Sequence, residues 1–250
     1  MEPYYYQTLS KAEQSSYQAM QAGLQAFAPS FPVPLLENRA LTDVFMKLRL
    51  DCPQLFYAGT FQYRYYPDSR NAELIPAYLF EKGKLKEHQK ALQARVEKLV
   101  RPVAKCGDEE KLLYIHDFIC KNVRYDKLKK QYSHEIIGVL GHGVGVCEGI
   151  AKAVKILCDA LQIQCIIALA ENNPEKGVKY RHAWNVVRLD KKYYHLDCTF
   201  DLSLGNPEEI RYDYFLLSDK QIFRDHERLV WRVPACEDAD RFYYKKKKLS

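Results

Sequence analysis

The sequence predicts an α+β protein, with a cysteine-headed helix packed on an antiparallel sheet behind a mostly helical N-terminal extension. Three observations carry this reading. Glycines at 141, 143 and 145 break regular structure just before Cys147, where an amphipathic helical pattern begins. Three strand-like runs follow between 163 and 199, the last two separated only by Asp190-Lys191. The first hundred residues hold helical stretches punctuated by prolines.

The elements follow in order. Ser10 and Glu13 have capping-box spacing, which predicts a helix over 10–27 that ends before Pro29. A second helix is expected over 38–50, stopping before Pro53. The Phe- and Tyr-rich stretch 55–66 and the stretch 73–80 read as a short hairpin. A polar helix should cover 84–100, and another should start at Asp108, with acids in its first turn. One or two helical turns are expected within 131–140. The helix after Cys147 places Ile150, Ala151, Val154, Leu157, Cys158 and Leu161 on one face, with Lys152, Lys155 and Asp159 expected on the outer side. Strands are expected at 163–170, 180–189, 192–199 and 212–217, and Ser218 with Gln221 should cap a short helix. This divides the chain into an extension at 1–105 and a core at 106–250.

Composition narrows the function. The chain has 250 residues, 47% hydrophobic and 28% charged, as expected of a soluble globular protein with a sizeable core. The net charge is +6, part of it in the tail run Lys245–Lys248, which reads as a solvated end. No other basic stripe is visible, so nucleic acid is not an expected partner. The first residues lack a signal-peptide pattern and no apolar run could span a bilayer, so a cytoplasmic location without membrane binding is expected. The eight cysteines include no Cys-x-x-Cys pair, so neither structural zinc nor any other metal or cofactor is expected.

Cys147, His182 and Asp197 stand in settings that suit a catalytic triad. A helix start and a nearby imidazole both favour the thiolate, the nucleophilic form of a cysteine. With Asp190 and Lys191 as a two-residue loop, 182 pairs with 199 and 184 with 197. His182 and Asp197 then share one sheet face as diagonal neighbours, and a one-residue slip would separate them. In this arrangement Cys147 attacks, His182 moves its proton and Asp197 orients the imidazole. The Cys147 backbone N–H is the natural first oxyanion donor, and Tyr125 is a weak candidate for the second. Asp201 is a rival carboxylate, while His195 and His142 are rival imidazoles. Trp184 reads as core packing that could shield the site.

Four segments then resemble a known family: Asn122–Asp126, Gly145–Ala151, His182–Asn185 and Leu196–Asp201. Together they resemble the transglutaminase-like superfamily, a relative of papain-type cysteine proteases, and the extension resembles that of some bacterial members. Cys198 stands where the family often has proline. The resemblance implies a papain-like core, with Cys147, His182 and Asp197 at the nucleophile, base and orienting-acid positions. It also implies a cysteine-dependent amide or peptide hydrolase, or an acyltransferase, acting on peptide or protein substrates through a thioester. Zinc-dependent N-glycanases and calcium-dependent animal transglutaminases fit poorly, since Cys-x-x-Cys pairs and an acidic calcium loop are both missing from the sequence. The alternative is a catalytically silent peptide- or protein-binding module on the same fold.

Overall fold

The structure, a computed structural model, describes residues 2–206 and 208–241. The lysine run at 245–248 lies outside the described residues. The chain forms two compact units that divide between Ala91 and Leu92.

The first unit holds α1 (Tyr4–Gln7), α2 (Lys11–Gln25), β1 (Phe31–Pro34), α3 (Asn38–Asp51), β2 (Ala58–Tyr65) and β3 (Asn71–Tyr78). Ser10 and Glu13 form the full capping box at the start of α2. The sheet order is β1-β3-β2, so the hairpin of β2 and β3 gains a third, antiparallel strand. That strand is unexpected, because Phe31-Pro32-Val33-Pro34 has two residues without an N–H. It is an edge strand, where prolines are tolerated. Asp51, at the end of α3, accepts hydrogen bonds from the backbone N–H of Tyr5 and Tyr6 and from the Tyr17 hydroxyl.

Helix α4 (Lys82–Val100) runs across the division. The second unit continues with α5 (Asp108–Asn122), β4 (Arg124–Tyr125), β5 (Val144–Gly145), α6 (Cys147–Ala160), β6 (Cys165–Ala170), β7 (His182–Leu189), β8 (Lys192–Leu196), α7 (Cys198–Leu204), β9 (Phe215–Leu217) and α8 (Asp219–Ile222). A 3-10 turn at Gln131–His134 and a wider π-type turn at Ile137–Gly141 fill the stretch before Cys147. The main sheet is antiparallel in the order β6-β7-β8-β9, and α6 packs against β6 and β7.

The hairpin register is the expected one, with Asn185 opposite Leu196 and Val186 opposite His195. Asp190 and Lys191 both have positive φ (47° and 68°), the geometry of a two-residue turn matched to strand twist. One boundary differs. The run expected as strand over 192–199 stops at Leu196, because Asp197 caps a new helix. Its carboxylate accepts from the backbone N–H of Thr199 and Phe200, which terminates the strand and starts α7.

Helix α6 also differs from its expected pattern. Lys152 and Lys155 are not on an outer side; both are buried. Lys152 Nζ lies 2.8 Å from Glu135 and 2.8 Å from Glu148, and donates to the His134 carbonyl. Lys155 Nζ meets Asp159 and donates to the carbonyl of Cys165. These partners satisfy charges that would otherwise be costly to bury. Because removing the ammonium takes away the buried cation that both carboxylates face, Lys152→Met should destabilise the protein by about 3–5 kcal/mol in chemical denaturation.

Candidate active site

Cys147 is the first residue of α6, and Val146 precedes it with no side-chain cap. The first-turn amides of such a helix have no intrahelical acceptors, so this end carries partial positive charge. The chain can turn so sharply because Gly143 takes φ 65° and Gly149 admits the neighbouring turn. A Cβ on Gly149 would lie 2.2 Å from the Ser133 carbonyl oxygen, a backbone atom that cannot step aside. That carbonyl also accepts from Val146 N–H. Cys147 is half-buried, and all eight cysteines are free thiols.

His182 opens β7, and Asp197 ends the neighbouring strand on the same face. His182 Nε2 donates to Asp197 Oδ2 at 2.6 Å. Asp197 is fully buried, while the His182 side chain keeps 21% of its exposure. Burial pushes the His182 ring down, but the Asp197 charge and hydrogen bond, together with Cys147, outweigh it and bring the ring up to about 10. Asp197 is held well below the ordinary carboxylate range; burial opposes this, and the imidazoles of His182 and His226 overcome it. The Cys147 sulfur is near enough to the His182 ring to contribute to its raised basicity. Beneath them, Asn185 Nδ2 donates to the Ala151 carbonyl at 2.9 Å and pins β7 to α6 one helical turn beyond the sulfur.

His226 is the residue that sequence reasoning missed. Its Nε2 donates to Asp197 Oδ2 at 2.9 Å, and its Nδ1 faces Asp225 at 2.7 Å. Tyr214 in turn donates its hydroxyl to Asp225. His226 lies in an irregular stretch after α8, where no periodicity signals which way a side chain points. Trp184 is almost fully buried and stacks on His182 at 5.8 Å between ring centres, so it both packs the core and walls one side of the imidazole.

The rivals have other partners. His195 accepts from Trp184 Nε1 and donates to Asp219, and burial lowers its basicity. Asp201 accepts from His116 and from Tyr214 N–H. His142 is exposed and lies against Tyr132. Tyr125 is partly exposed on β4, whose partner strand β5 leads into Cys147; burial, then the Cys147 charge, raise its hydroxyl. Asp126 anchors the following loop, accepting from Ser133 Oγ and from Leu128 and Lys130 N–H.

Two groups of side chains have metal-ligand composition: His182, Asp197 and His226, and His195, Asp219 and Cys236. In the second, His195 Nδ1 accepts from Trp184, so Nε2 carries the proton and has no lone pair for an ion. In the first, both Nε2 atoms donate to one Asp197 oxygen.

Residues 93–198 match the family model of the transglutaminase-like superfamily. The chain carries a transglutaminase-like core. The matched span holds Cys147, His182 and Asp197. Solved structures similar to the chain include a TGase (11% identity, 57% of this chain and 44% of that one, TM-score 0.39). They also include a candidate cysteine protease from Cytophaga hutchinsonii (16% identity, 56% and 61%, TM-score 0.36). A third is a candidate protease from Parabacteroides distasonis ATCC 8503 (16% identity, 56% and 36%, TM-score 0.34). The chain thus spans less than two thirds of each. No curated protein matched. Among the described residues, no helix is long and apolar enough to cross a membrane.

Proposed function

We propose that the transglutaminase-like core is a cysteine-dependent acyl-transfer enzyme, hydrolysing or transferring peptide or side-chain amides through a thioester on Cys147. The observation that carries this reading is the His182–Asp197 contact of 2.6 Å, on a ring whose basicity the nearby Cys147 also raises. Because Asp197 occupies Nε2, the nitrogen left for the sulfur is Nδ1. Cys147 passes its proton to His182, and the sulfur adds to the carbonyl carbon. The Cys147 N–H faces the developing oxyanion, and Tyr125 is the candidate second donor. The tetrahedral adduct collapses as His182 protonates the leaving nitrogen, leaving the thioester. Water, or an amine in the transfer case, attacks that thioester, and sulfur leaves.

Intact-mass analysis of Cys147 after exposure to a library of peptide amides tests the reading. Wild-type protein should carry an acyl adduct that hydroxylamine removes, and Cys147→Ala should carry none. No adduct and no product with any peptide would favour a binding module instead.

A further inference from the structure

Two loops frame the approach to Cys147 and His182. Strand β4 pairs in parallel with β5, Tyr125 opposite Gly145, so loop 126–130 leaves the sheet beside the residues that lead into Cys147. Segment 171–181 runs directly into His182. The loops touch, with Lys129 Nζ 3.2 Å from the centre of the Tyr180 ring.

The joined surface is strongly cationic. The first loop exposes Lys127, Lys129 and Lys130, and β4 before it exposes Arg124. The second exposes Lys176, Lys179 and Arg181. The same stretches hold three carboxylates, and two of them are engaged locally: Asp126 by its own loop and Glu171 by Arg181 at 3.3 Å. Among the described residues, Arg124, Lys127 and Lys179 make no ion pair. Apolar groups are interleaved with these cations: Leu128 and Tyr180 are 78% and 66% exposed. Beside the second loop, a cavity of about 770 Å³ is lined by Lys176, Arg228, Arg232, Phe223 and His226 among others, with one carboxylate, Glu227, which pairs with Lys176 at 3.0 Å. His226 also donates to Asp197, so this cavity abuts the proposed triad. The cations lie in two short runs, 124–130 and 176–181, which the fold brings together.

We propose that this site takes acidic polypeptide segments, in which aspartate or glutamate and an apolar side chain flank the reacting amide. The proposal rests on the cysteine-enzyme reading for its chemistry, but the recognition surface is separable from it. Carboxylates on the substrate would meet the unpaired cations, and the apolar residue would lie against Leu128 and Tyr180. Long-range attraction of this kind also concentrates substrate at the mouth of a site.

Fluorescence anisotropy with the full chain tests it. The probes are a labelled Glu/Tyr/Leu peptide, the same peptide with Gln for Glu, a single-stranded RNA of matched charge, and vesicles containing phosphatidylserine. The acidic peptide should bind about tenfold more tightly than its Gln counterpart. Its binding should weaken as salt rises from about 50 to about 300 mM. The double variant Lys127→Glu with Lys179→Glu should lose about tenfold in affinity for it. That variant should still react normally at Cys147 with neutral iodoacetamide, which shows that the fold and the sulfur are intact. Equal binding of the acidic and Gln peptides, or tighter binding of RNA or vesicles, would overturn the proposal. Acyl adducts on Cys147 with neutral and acidic peptides alike would also overturn it, while sustaining the enzyme reading. Selective acidic-peptide binding with no adduct would uphold the recognition surface and remove the enzyme reading.

Discussion

His182→Ala should cut acyl-enzyme formation at Cys147 by about 10,000-fold, with KM for a peptide substrate changing far less. A group that moves the proton acts mainly in the transition state, so its loss falls on kcat. Losses of this size are typical when one member of a nucleophile–base–acid constellation is removed. The fold should survive at some cost in stability, because the ring sits at the first residue of β7 and keeps 21% exposure, yet it packs on Trp184 and Phe200 and pairs with Asp197. Pre-steady-state measurement of thioester formation, paired with thermal melting, separates the two effects. An unchanged rate with an unchanged melting temperature would remove His182 from the chemistry.

Asp197→Asn should have two linked effects. The asparagine keeps one acceptor oxygen for capping α7 but loses the charge that faces His182 and His226. His182 should then titrate far below 10, since burial pushes it down and only the contribution of Cys147 is left to raise it. NMR of the imidazole ring reads this directly. Stability should fall by about 3 kcal/mol near neutral pH, as expected for breaking a buried pair. The pH dependence has a defined sign. Raised basicity at His182 stabilises the fold fully below about pH 6.5 and is lost as pH rises towards 10. Lowered basicity at Asp197 stabilises it above the ordinary carboxylate range, about 4, and is lost as pH falls further. The gap between wild type and variant should therefore be widest from about pH 4 to about pH 6.5. A gap that is flat from pH 5 to about pH 10 would contradict the pair.

Local signals and the family resemblance together make much of the core legible from the residues alone. The capping boxes at Ser10 and Ser218 start the helices they predict. The two-residue loop at Asp190-Lys191 sets the register, and with it the meeting of His182 and Asp197, because a strand offers only two faces. What is not legible depends on partners far along the chain. Lys152 and Lys155 resemble a solvated stripe until Glu135 and the Cys165 carbonyl are seen to receive them. His226 reaches Asp197 from 29 residues away, out of a stretch with no regular pattern. The end of β8 does have a signal: aspartate is a strong helix N-cap, and Asp197 is read as a strand residue only if that preference is ignored.

The Asn185–Ala151 hydrogen bond has a wider consequence. It ties the helix carrying the sulfur to the strand carrying the ring through two residues that belong to neither bordering loop. Segment 171–181 has no part in that tie and can drift or lengthen with it in place, whereas loop 126–130 is bound to the turn before Cys147 through Asp126, which meets Ser133 and Gly145. The two borders of the cleft are therefore unequal: one is free to diversify, the other is built into the helix start.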